Sequence, residues 1–86
     1  MDIKMMRELF KEGVLYEALV VPAPMESNSW MVSVVRSNGT HEHLTTINAG
    51  TNKIYKRLPA ALEDVRRVGF SEAKVQLPKN DTPIRK

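Results

Sequence analysis

The chain contains no cysteine. Disulfide staples, thiolate metal sites and cysteine nucleophiles are excluded together, and a small unstapled domain suits a reducing cytosol. Glycine is scarce: Gly13, Gly39, Gly50 and Gly69 are the four, spread along the chain at turns or helix ends, so there is no glycine-rich phosphate loop. No apolar run approaches the roughly 20 residues of a membrane-spanning helix. The opening Met1-Asp2-Ile3-Lys4 interrupts its apolar residues with charge and does not read as a secretory signal. These absences predict a soluble cytoplasmic protein without membrane contact.

What is present suits one domain with a modest core. The chain has 86 residues, of which 42% are hydrophobic and 27% charged, a folded rather than a disordered composition. A core this small often gains stability from oligomerisation, which makes a homodimer an expectation to carry forward. The net charge of +3 is mildly basic and compatible with nucleic acid.

Residues 3–12 read as a short helix, with Ile3, Met6 and Phe10 on one face and Gly13-Val14 as its stop. Residues 15–21 are rich in β-formers and end at Pro22 and Pro24. Residues 30–36 and 40–47 are two further strands, joined by Ser37-Asn38-Gly39, the clearest hairpin signal in the chain. A type I turn with Gly39 in a bulge puts Leu44 opposite Val32. That register gathers Trp30, Val32, Val34 and Leu44 on one face and leaves Ser33, His41, His43 and Thr45 on the other. A two-residue turn would place Leu44 opposite Ser33 and break the apolar set, so the bulged register is expected. Residues 53–56 can form a short fourth strand. Pro59 opens a second helix whose stripe is Leu58, Ala61, Leu62, Val65 and Val68, stopped by Gly69-Phe70. Ala73, Val75 and Leu77 alternate with polar residues as a final strand.

The expected fold is α+β in the order α-β-β-β-β-α-β: a single antiparallel sheet of four to five strands with two short helices on one face. Residues 1–78 form the domain, and residues 79–86 are expected to be a disordered basic tail.

Catalysis requires a nucleophile, base or metal cluster in mutual reach. His41 and His43 share a strand face but show no third ligand, and Glu42 points the other way. Glu63-Asp64 is the one adjacent acidic pair and reads as the polar face of the second helix. No catalytic residues, metal, cofactor or small-molecule substrate are expected, and the chain reads as a non-enzyme.

Two surfaces suggest a macromolecular partner. Basic residues concentrate in Lys53, Lys56, Arg57, Arg66 and Arg67; against Glu63 and Asp64, five positive and two negative charges leave residues 53–67 at +3. With Tyr55 inside the run, this is a pattern for nucleic-acid contacts. The second surface is the sheet face bearing Met31, Ser33 and Val35, with Tyr16, Ala18 and Val20 placed beside them. It is less polar than a solvated face should be, so it reads as a protein interface or a self-association surface.

The run Leu44-Thr45-Thr46, Gly50, Ile54-Tyr55-Lys56, Leu58, Ala60-Ala61, Arg66-Arg67-Val68-Gly69-Phe70 and Val75 resembles the ParC-family partition-associated proteins, small accessory proteins of bacterial plasmids and integrated elements. The opening is similar too: Leu9-Phe10, Gly13, Val20-Val21-Pro22-Ala23-Pro24 and Trp30. The likeness spans most of residues 5–77. Arg57 stands where a polar helix cap would suit such proteins. The resemblance implies a role in plasmid or mobile-element maintenance through contact with a partition protein or DNA, and it brings no catalytic set.

Overall fold

The computed structural model describes residues 1–24 and 26–78. Helix α1 (Ile3–Lys11) begins at Asp2, whose side chain accepts the Met5 N–H at 3.0 Å and so caps the first turn. It turns Met6, fully buried, and the flanking Ile3 and Phe10 toward the core. The helix closes through Gly13 N–H to Phe10 O and Val14 N–H to Leu9 O, the paired bonds of a glycine C-terminal cap.

Strands β1 (Leu15–Pro22), β2 (Trp30–Arg36), β3 (His41–His43) and β4 (Lys74–Val75) form one sheet in the order β3-β2-β1-β4. Helix α2 (Leu58–Val68) crosses it. The α+β class is as the sequence predicts, but the sheet is mixed: β4 runs parallel to β1, pairing Lys74 with Leu19 and Val75 with Val20. The chain reaches β4 only after α2 has carried it across the sheet, which is how a parallel pair must be connected. Residues 53–56 do not form the expected strand. They make a single bridge, in which Trp30 and Tyr55 exchange backbone bonds of 2.8 and 2.9 Å, before the chain turns into α2. The final strand is shorter than the alternation of residues 73–77 implies, and the tail expected at 79–86 lies outside the described residues.

The hairpin adopts the bulged register. Val34 pairs with Glu42 and Ser33 with His43, and Leu44 N–H donates to Val32 O at 2.9 Å. Gly39 N–H closes the turn on Arg36 O at 2.8 Å, with Gly39 at φ +92°, a left-handed conformation that glycine adopts without a Cβ clash. The turn residue thereby sets which side chains face inward.

Both helices pack on one face, where Met6, Ala18, Val20, Val32, Val34, Leu44, Tyr55, Ala61, Val65 and Val68 make the core cluster. Trp30 packs half-buried against it. Ala18 and Val20 therefore belong to the core, opposite Val34 and Val32, and not to the outer face beside Met31 and Val35. A register shift between Leu15 and Glu17 changes the phase of β1, so Leu19 and Val21 take the outer positions. Tyr16, at that shift, is 77% exposed.

Arg57 is the N-cap residue of α2, and its side chain makes no cap hydrogen bond. Arg57→Asp should stabilise the domain by about 1 kcal/mol by accepting a first-turn N–H and complementing the helix dipole. Urea denaturation checks this; a midpoint unchanged or lowered would show that the open cap is already satisfied by other means.

Candidate interaction surfaces

The basic run is held by the protein's own acids. Asp64 lies in α2 on the same stripe as Ala61, Val65 and Val68 and is only 4% exposed. Its Oδ2 accepts from Lys53 Nζ at 2.8 Å and from the Tyr55 hydroxyl at 2.5 Å, and its Oδ1 accepts from Arg67 Nη1 at 3.4 Å. Lys53 Nζ also lies 5.3 Å from the centre of the Tyr55 ring, within cation–π range. Arg66 pairs with Glu63 at 3.1 Å and Lys56 with Glu26 at 2.9 Å. Arg57 is exposed and joins no ion pair among the described residues.

Burial alone would push the Asp64 carboxyl up. The hydrogen bonds from Lys53 and Tyr55, with the charges of Lys53 and Arg67, outweigh it and hold the group below its ordinary value. Burial, then the hydrogen bond and negative charge of Asp64, push the Tyr55 phenol far above its usual range, so it stays a donor at any physiological pH. This network ties the segment before α2 to the helix itself. Tyr55 belongs to the core cluster and is 6% exposed.

The six residues proposed for nucleic acid thus divide. Lys53, Tyr55 and Arg67 meet at Asp64. Lys56 and Arg66 are exposed in surface pairs, which contribute little and can exchange partners. The structure does not gather the six into one open patch. The buried Asp64 is the residue that sequence reasoning misread. Its signal was spacing: three residues after Ala61 and four before Val68 is a core-facing position, whatever the residue's charge.

The outer sheet face carries Met31, Ser33 and Val35 as expected, with Leu19 and Val21 beside them. Among the described residues, no helix or strand packs on it. Even so, Met31 is 7%, Leu19 7% and Ser33 2% exposed. Each sits in a central strand and is flanked by its cross-strand neighbours: Lys74, Leu19, Ser33 and His43 form one row across the sheet. The Ser33 hydroxyl donates to Glu42 O at 3.3 Å. What this face presents to a partner is its border: half-buried Val35, Val21 and Glu17, and exposed His41, His43 and Lys74. His41 and His43 lie side by side on it, and among the described residues no three side chains of metal-ligating type come together.

A third feature was not foreseen. An open groove of about 660 Å³ lies between the first half of β1, the end of α1 and the segment leading from Gly69 to β4. Phe10 and Phe70 line it, edge to face with ring centres 4.8 Å apart. No helix of the described residues is long and apolar enough to cross a membrane. No protein-family model, curated protein or solved structure matches this chain.

Proposed function

We propose that this protein is a non-enzymatic accessory factor of plasmid or mobile-element maintenance that acts by binding a partner protein of the partition machinery. The resemblance supplies the biological setting. The observation that carries the mode of action is the internal pairing of the basic run: Lys53, Arg67 and Tyr55 converge on Asp64, so the charges of Lys53 and Arg67, 43% and 63% exposed along their side chains, are offset by a carboxylate. A nucleic-acid surface needs several cations free to displace counterions. A two-layer sheet with helices on one side leaves the border of Val21, Val35, His41 and His43, and the groove beside β1, as the surfaces for protein contact. Affinity capture from cells carrying the element is expected to recover a partition protein. Recovery of neither a partition protein nor DNA would remove the proposal.

One observation favours a second reading, direct DNA contact: Arg57 joins no ion pair among the described residues, and Lys56 and Arg66 are 75% and 77% exposed along their side chains. Three phosphate contacts would give a salt slope of roughly −2.7 on duplex DNA. A fluorescence titration at low salt decides it. The protein-binding reading expects only weak association; a steep slope that Arg57→Ala flattens by about one unit supports direct contact.

A further inference from the structure

Sheet order places β1 inside the sheet, yet half of it lacks a neighbour on one side. Its partner on that side, β4, is two residues long and pairs only with Leu19 and Val20. Gln76 N–H reaches Val20 O at 2.8 Å, which fixes the direction in which that side of β1 points. Ala18 faces the same way but is fully buried, so the accessible part of this side of β1 begins at Tyr16. The 660 Å³ groove lies along this stretch. Its walls are strand backbone on one side and the 70–73 segment on the other, with Phe10, Leu15 and Phe70 as apolar surface. Its volume falls within the range of binding clefts. Its charges are Glu17 and Glu72 against Lys74, a net negative rim on a chain that is positive overall. Tyr16, 77% exposed, stands over it at the register shift.

We propose that this groove docks an extended peptide segment of a partner protein, which lies along β1 beside Tyr16 and sets an apolar side chain near Phe10 and Phe70 with a basic one near Glu17 and Glu72. The proposal rests on the protein-binding reading and names the surface it uses.

The test uses the full chain, labelled with nitrogen-15 and titrated with a synthetic peptide alternating valine and lysine. A peptide alternating valine and glutamate is the control. Saturable amide shifts confined to residues 15–18 and 70–74 are expected. Tyr16→Ala and Glu72→Lys, both at exposed positions, should each weaken the basic peptide about fivefold or more. No saturable shift, equal binding of the acidic peptide, or shifts centred on β3 would overturn the groove assignment. Capture of a partition protein that survives both substitutions would overturn it too while leaving the function reading in place; capture of none would remove that reading separately.

Discussion

Asp64→Ala is expected to lower the unfolding free energy by about 2–3 kcal/mol, because it leaves the buried Tyr55 hydroxyl without its acceptor and removes the charged hydrogen bonds of Lys53 and Arg67, whose side chains stay 43% and 63% exposed and can turn to water. A domain of this size has of order 4–13 kcal/mol in total, so the loss is a substantial fraction of its stability. Tyr55→Phe removes one donor and leaves the carboxylate with its cations, so it should cost only about 1–2 kcal/mol. The pH dependence has a definite sign. The folded-state pKa of Asp64 lies below the unfolded one. The stability it contributes is complete above the ordinary carboxylate value and is lost as pH falls through the folded value. Urea denaturation of wild type and Asp64→Ala from neutral pH downward should show the difference narrowing only on the acid side. A loss under about 1 kcal/mol at neutral pH would mean that the network is a surface feature.

The second large effect is at Gly69. Its φ of +135° lies in a region that residues bearing a Cβ rarely adopt, and an added Cβ would stand 2.5 Å from Phe10 Cδ1 and 2.7 Å from Cε1. Phe10 cannot move away freely, because its ring packs edge to face on Phe70. Gly69→Ala should therefore destabilise by about 2–4 kcal/mol, the sum of backbone strain and overpacking. In a domain of this length each 1 kcal/mol shifts Tm by about 4–8 °C, so a drop of at least 8 °C is expected. Adding Phe10→Ala relieves the clash but not the backbone strain, so the double variant should lose less than the two single losses summed. Strict additivity would show that the close approach of Phe10 to Gly69 carries no energy.

The hairpin was legible because one glycine and one apolar set agree. Asn38-Gly39 suits either turn, but only the bulged one puts Leu44 opposite Val32 and keeps the apolar set on one face. Both helices were legible by stripe and by their glycine stops. Residues 53–56 were misread because β-propensity is local, while a ladder needs a neighbour long enough to continue it; Trp30 offers one bridge and the chain then turns into α2. The phase of β1 could not be read from alternation, because the shift between Leu15 and Glu17 leaves Ala18, Leu19 and Val20 all buried, on both faces of the sheet. The basic run was legible as charge but not as surface. One of its acids, Glu26, comes from thirty residues before Lys56, and the others, Glu63 and Asp64, lie on a helix face read as polar. The parallel placement of β4, and with it the groove, depends on where α2 delivers the chain, which no local pattern encodes.

Under the proposed function this protein works through protein contact, with Lys53 and Arg67 bonded to its own Asp64. Affinity capture with the eluate divided, one half digested with nuclease before washing, tests it most directly. The partition protein is expected to be retained equally in both halves. Loss of the partner on digestion, with DNA recovered from the untreated half, would contradict it.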